Sequence, residues 1–255
     1  MNPKFQRLAL LAGPETVDAL SHTKVIVFGL GGVGSWCAEA LIRSGIGHLK
    51  IVDSDTVCVT NINRQIQATP ETIGQFKAEV LKKRLKEIAP EAEIAGYNTV
   101  FSRETAGGFG LEEADYVIDA IDSLTHKLDL IEYACARGKR LFSSMGMAQK
   151  LDPTRLKTGD IWETEGCPLA RLVRSGLRKR GLALHFTAVY SPERLPLSEA
   201  ESVCGSGKCL CPARPDASAE WCSSKKVING SAVTVTAAAG MILAGLVIQD
   251  VYGHG

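Results

Sequence analysis

No sign of charge dominates this chain: 29 Lys and Arg stand against 28 Asp and Glu, a formal net charge of +1. Attraction of nucleic acid by the overall field is thereby excluded, so any such contact must come from a local patch. The opening residues, MNPKFQRLALLAGPE, hold too short an apolar run for a secretory leader. A reducing cytoplasm is the expected compartment, where the eight cysteines would not form disulfides. Paired C-x-x-C knuckles are missing, and no internal repeat is visible. Charge is also missing from residues 227–249. That length could cross a bilayer. Asn229, Ser231, Thr234 and Thr236 dilute its apolarity, so a buried helix is expected and a membrane span is the alternative.

What is there is ordinary for a soluble globular protein, with 45% hydrophobic and 22% charged residues. Residues 24–28 form a short apolar run ending in glycines, which reads as a buried parallel strand. Helical spacing over residues 32–44 and a second strand at 49–52 complete a βαβ unit. Pro70 is expected to open a helix running to Ile88, with Ile73, Phe76, Val80, Leu81 and Leu85 on one face, stopped by Pro90. Strands are expected at 93–97, 116–121, 140–143 and 184–190, and helices at 123–137 and 167–180. Alternating strands and helices predict an α/β fold: a doubly wound, mostly parallel, Rossmann-like sheet with a C-terminal elaboration. We expect one domain over 1–255, its nucleotide-binding half at about 20–146 and its elaboration at about 147–255. Residues 191–224, rich in Pro, Ser, Gly and Cys, read as a long loop.

Gly29-Leu-Gly31-Gly32-Val-Gly34 follows the first strand and opens a helix. Glycine suits the tight turn and lets backbone approach phosphate, while the helix N-terminus offers N–H groups to an anion. Asp53 ends the next strand, where a carboxylate can hold ribose hydroxyls. This pattern alone does not separate NAD from ATP. Asp55, Asn61, Asn63, Arg64, Gln65 and Lys77 lie beyond it. Cations and amides of this kind suit a triphosphate and charge building on its α-phosphate; hydride transfer needs none of them. Asp119 and Asp122 close the fourth strand over the ligand crevice. Asp122 is placed to hold Mg²⁺ against phosphates, and Asp119 to support it from behind.

Together these motifs resemble the ThiF/MoeB/ubiquitin-activating-enzyme superfamily, whose members use ATP–Mg²⁺ to adenylate a carboxylate. The resemblance implies that Asp53 holds ribose, that Asn61, Arg64 and Lys77 contact phosphates, and that Asp122 lies near the metal. Arg7 matches an arginine that in this superfamily reaches the γ-phosphate of a partner subunit, which implies a homodimer.

Within the superfamily, Ser144-Met-Gly146, Lys150-Leu-Asp152-Pro153-Thr-Arg155, Cys167-Pro-Leu-Ala-Arg171 and Arg178-Lys179-Arg180-Gly181 resemble the tRNA threonylcarbamoyladenosine dehydratases. So do Trp221-Cys222 and Ile228-Asn229-Gly230-Ser231. The implied reaction is ATP-dependent cyclisation of the modified adenosine, with net loss of water. The alternative within the superfamily is an adenylyltransferase for a ubiquitin-like sulfur carrier. An NAD(P) oxidoreductase and a catalytically silent binding module are the readings from other classes.

Arg171, Arg174, Arg178, Lys179 and Arg180 form a candidate tRNA stripe, against the plain reading of a solvated helix with a cationic end. Cys204, Cys209, Cys211 and Cys222 are candidate ligands of a structural Zn²⁺, although C-x-C spacing suits one metal less well than paired knuckles. A sulfur-relay protein partner acting through Cys222 is the weaker alternative. Cys167 precedes a proline at a helix start and is expected to be structural.

Overall fold

The computed structural model describes residues 2–196 and 229–253. Its seven-stranded sheet has the order β3-β2-β1-β4-β5-β7-β6. The strands are β1 (Lys24–Phe28), β2 (His48–Val52), β3 (Glu93–Tyr97), β4 (Tyr116–Asp119), β5 (Arg140–Ser144), β6 (Lys157–Asp160) and β7 (Thr187–Tyr190). All neighbours are parallel except β6, which runs antiparallel to β7 at one edge. Four of the five β1 residues are buried, as a strand covered on both faces requires. The chain winds one way from β1 to β2 and β3, and the other way through β4, β5 and β7. The crevice at that reversal, beyond the carboxyl ends of β1 and β4, is where such sheets bind ligands.

The helices are α1 (Gln6–Ala12), α2 (Pro14–His22), α3 (Gly34–Arg43), α4 (Lys77–Ile88), α5 (Leu124–Cys135), α6 (Pro168–Lys179) and α7 (Val233–Gly253). One apolar core joins α3, α4 and α7 to the sheet, and a second joins α5 and α6 to its other face. The uncharged C-terminal segment is thus a core helix. It is long and apolar enough to cross a membrane, yet Val235, Ala239, Leu243 and Val247 pack inward. A Cβ at Gly240 would come within 2.9 Å of the Cys37 backbone nitrogen on α3, so only glycine permits this approach. The other face of α7 leaves Met241 and Tyr252 exposed.

One expected element differs. Pro70 opens only a short 3-10 turn, Pro70–Thr72, and the helix begins at Lys77. Gly74 has φ +85°, a conformation that ends a right-handed turn. The following residues pair with an earlier loop instead: Val57 N–H donates to Gln75 O at 2.9 Å, and Lys77 N–H donates to Asp55 O at 3.0 Å. Ile73 and Phe76 therefore leave the apolar face predicted for the helix. That pairing sets Lys77 at the first turn of α4, facing the loop after β2.

Candidate active site

The glycines after β1 divide into two kinds. Gly29 has φ +85°, and a Cβ there would lie 2.7 Å from Ala120 O; a Cβ at Gly34 would collide with the Gly29 carbonyl. These two close the turn against β4. A Cβ at Gly31 would meet nothing within 4 Å, so this residue leaves open space beside the loop. Behind it α3 has no side-chain N-cap bond and no acidic residue in its first turn. Ser35 N–H donates to Gly31 O at 3.2 Å, and no side chain caps the rest of this helix start, which suits an anion. A Cβ at Gly32 would lie 3.0 Å from Thr236 Oγ1 and 3.2 Å from Arg64 Cδ, so α7 and Arg64 both press on the loop.

Asp53 binds the glycine loop to the loop after β2. Its Oδ2 accepts from Leu30 N–H at 2.6 Å, and its Oδ1 accepts from Asp55 N–H at 2.8 Å. Burial pushes its carboxyl above the usual carboxylate range, against the Lys77 charge and the two backbone donors. Lys77 Nζ lies 2.7 Å from Asp55 Oδ2 and 3.9 Å from Asp53 Oδ1. Burial alone would lower the Lys77 ammonium, but Asp53, Asp55 and Asp122 outweigh it and hold it above its ordinary value. Burial holds the half-buried Arg64 guanidinium below its ordinary value, with Cys58 and Asp122 opposing. Asp122 is exposed, and its field reaches both cations. Asp53, Asp55 and Lys77 are thus tied together, Arg64 presses on the adjoining glycine loop, and Asp122 acts electrostatically on both cations.

The three amides behave differently from expectation. Asn61 is buried and accepts from Cys58 N–H at 3.0 Å, capping its own turn. Asn63 donates to Ser231 O at 2.9 Å and accepts from Arg64 Nη1 at 2.9 Å. Gln65 is buried. In this structure they build the loop that holds Arg64, whose Nη1 also donates to Thr60 O at 2.8 Å. Asp119 is also turned inward. It is fully buried, its Oδ2 accepting from Lys127 Nζ and Ser143 Oγ at 2.6 Å each, and its Oδ1 from Ile121 N–H at 3.0 Å. It shapes the turn that carries Asp122 and does not line the crevice.

Arg7 is exposed on α1 and, among the described residues, makes no ion pair or side-chain hydrogen bond. The basic stripe on α6 is broken. Arg174 Nη1 donates to Thr164 O at 2.8 Å, and Arg180 pairs with Asp129 at 2.8 Å and Glu132 at 2.9 Å. These two serve the fold, because their donors are already spent on carbonyls and carboxylates within the chain. Arg171, Arg178 and Lys179 are exposed, Arg178 lying over Trp162 with 5.0 Å to the ring centroid. Cys167 caps α6 and is buried, as expected of a structural cysteine. Cys204, Cys209, Cys211 and Cys222 lie outside the described residues. Among the described residues no cluster of three His, Cys, Asp or Glu could hold a metal alone.

Sequence reasoning missed Gln67, Trp36 and Lys127. Gln67 Nε2 donates to Leu30 O at 2.8 Å, and its buried Oε1 has no partner among the described residues. Trp36 Nε1 donates to Arg64 O at 2.9 Å. Neither stands in a motif, and only the fold brings them to the glycine loop.

The ThiF family model matches residues 5–254. The chain is 42% identical over 190 residues to the tRNA threonylcarbamoyladenosine dehydratase of Bacillus subtilis, covering 74% of this chain and 75% of that one. It superposes on the Escherichia coli tRNA N6-threonylcarbamoyladenosine dehydratase solved in complex with ATP, with TM-score 0.83 and 29% identity, covering 98% of this chain and 94% of the other. The match to the sulfur carrier protein adenylyltransferase of Thermus thermophilus is shorter: 33% identity over 140 residues, 54% of this chain and 51% of that one.

Proposed function

This chain belongs to the ThiF family, and we propose that it is the ATP-dependent enzyme that cyclises N6-threonylcarbamoyladenosine in tRNA by adenylating the threonyl carboxylate. The observation that carries the reading is that Arg64 packs on the glycine loop at Gly32 while Lys77 pairs with Asp55 and Asp53, whose carboxylate binds that loop at Leu30, with Asp122 in the electrostatic reach of both cations. The sulfur-carrier reading shares that site, but the relative named for it matches over a shorter stretch.

In the first step a carboxylate oxygen attacks the α-phosphate of ATP and pyrophosphate leaves. Arg64 and Lys77 supply positive charge where the phosphates gain negative charge. The buried Asp53 orders the Leu30 and Asp55 amides around the crevice. Gly31 leaves the space beside its Cα open, which lets a phosphate approach the backbone there. Mg²⁺ fits only as a nucleotide-bound ion, with Asp122 as its protein carboxylate, and would neutralise phosphate charge. In the second step the ureido nitrogen of the same side chain attacks the activated carbonyl. AMP leaves with one carboxylate oxygen, a proton is lost and the ring closes. Both reacting groups belong to one nucleoside, so the chain's task is to hold them together, and no enzyme nucleophile is required.

We read the chain as a single domain, supported by the continuity of one sheet from β3 to β6. A homodimer is supported by the exposure of Leu10 and Leu11 beside Arg7, at 79% and 83%, on a helix face that no other described residue covers. Such a face suits a second copy, whose crevice Arg7 would then enter. A cytoplasmic location follows from a tRNA substrate. The structural zinc and the sulfur-relay partner rest on the four cysteines alone.

An isotope experiment tests the adenylation step. Substrate labelled with heavy oxygen in the threonyl carboxylate should yield AMP carrying one labelled oxygen. Unlabelled AMP, or ADP in its place, would overturn this chemistry.

A further inference from the structure

A pocket of about 490 Å³ lies apart from the nucleotide crevice, lined by Thr154, Arg155, Lys157, Glu165, Gly166 and Pro192. Sheet register places it. Asp119, Ser143, Ala188 and Gly159 form one row across β4, β5, β7 and β6. Asp122 lies three residues beyond that row. Lys157 and Tyr190 pair two residues beyond it, on the same side, because β6 runs antiparallel. The pocket and Asp122 therefore share the carboxyl edge of the sheet, three strand spacings or roughly 14 Å apart. One substrate lying along that edge can therefore reach both.

The pocket is preformed. Gly166 has φ +70°, and a Cβ there would lie 2.6 Å from Pro192 Cα, so the wall admits only glycine. Lys150 Nζ donates to Glu193 O at 2.5 Å, while Glu193 Oε2 accepts from Leu151 and Asp152 N–H at 2.9 and 3.1 Å. Those bonds lock the segment after β5 to the segment after β7. Gln149, at φ +57° the one non-glycine with positive φ among the described residues, turns the chain into this junction.

Its charge is cationic at the rim. Lys157 is paired with Glu165 at 3.0 Å. Arg155 is exposed, and its guanidinium has no ion pair or hydrogen bond among the described residues. Arg194 Nε donates to Gly166 O at 3.2 Å, which brings a second arginine to the pocket wall. An arginine held in the open at a rigid concave site matches phosphate, which it can bind with two parallel N–H donors.

We propose that this pocket, through Arg155, takes a phosphate of the tRNA chain beside the nucleotide whose side chain enters the adenylation crevice. The proposal rests on the reading of tRNA as substrate. Phosphate contacts of this kind set register and orientation, not sequence. Arg155 is accordingly a positioning residue, and its loss acts on tRNA and leaves ATP alone.

The test compares the full-length chain with Arg155→Ala and Arg155→Lys. Binding of tRNA carrying the open modification is measured from low to moderate salt, together with ATP–Mg²⁺ affinity and the KM and kcat of cyclisation. For Arg155→Ala the expected result is several-fold weaker tRNA binding, a slope of log K against log salt smaller in magnitude by about 1, raised KM for tRNA and unchanged ATP affinity, with Arg155→Lys recovering part of the loss. Wild-type and Arg155→Ala proteins with equal tRNA affinity and salt slope would overturn the pocket while leaving the function standing. Wild type that binds no tRNA would overturn both. Competition by an acidic peptide at the pocket, with tRNA binding indifferent to Arg155, would reassign it to a protein partner.

Discussion

Lys77 Nζ stands 2.7 Å from Asp55 Oδ2 at the first turn of α4, buried against the loop that follows β2. Its partner Asp53 has only 10% of its side chain exposed. The two site cations therefore differ in what their removal does, although both face the phosphates in the mechanism above.

Arg64→Ala should lower turnover by about 10²–10³, the usual effect of losing one preorganised charge donor. It should cost little stability, because the lost side-chain bonds go to an exposed loop. Lys77→Ala should lower turnover comparably and also cost about 3 kcal/mol, since Asp53 would remain buried without its cation. Initial rates together with urea midpoints separate the two. Equal stability loss in both variants would contradict the difference in burial.

The fully buried Asp119–Lys127 pair predicts a large effect on stability. Lys127→Met should destabilise the fold by roughly 3–5 kcal/mol, by leaving a carboxylate in the core. Joint replacement as Asp119→Leu with Lys127→Met should recover much of that loss. Chemical denaturation of the single and double variants reads it directly.

Glu39 on α3 is predicted to make stability fall in acid. Burial would raise its carboxyl, but hydrogen bonds and charge from Arg84 on α4 and from Arg43 outweigh that and hold it below its usual value. A group with a depressed folded pKa stabilises above its unfolded value, near 4.5, and loses that contribution as pH falls through the folded one. The stability gap between wild type and Glu39→Gln should accordingly be present at pH 7 and shrink below about pH 4.5. A gap independent of pH would remove the α3–α4 clamp from the account.

If α1 docks on a second copy, charging its exposed leucines should separate the subunits. Leu10→Glu with Leu11→Glu should run as a monomer by light scattering, and its turnover should fall toward that of Arg7→Ala. A variant that remains a dimer with full activity would place the interface elsewhere.

The parallel strands and the glycine loop were legible because their signals are local: β1 is a continuous apolar run, and G-x-G-x-x-G is a single turn. Arg64, Lys77 and Asp122 could be singled out because charged residues after the β2 and β4 strands resemble the superfamily's motifs. What escaped was non-local. Gly74 breaks the helix predicted from Pro70 because the next residues pair with the 55–57 loop, a contact that helical periodicity cannot register. The amides of Asn61, Asn63 and Gln65 suited phosphate by residue type, yet the backbone of its own turn claims Asn61, Ser231 O claims Asn63, and Gln65 is buried against Gln67. Arg174 shared a helical face with Arg178 and Arg180 stood at the helix end, but Thr164 and Asp129 on neighbouring elements take their donors.

The central claim is that this crevice removes one water from the threonylcarbamoyl side chain at the expense of ATP. Purified protein, ATP–Mg²⁺ and tRNA carrying the open modification, digested and read by mass spectrometry, should show that nucleoside lighter by one water, with AMP formed in equal amount. An unchanged nucleoside mass, with or without ATP consumption, would contradict it.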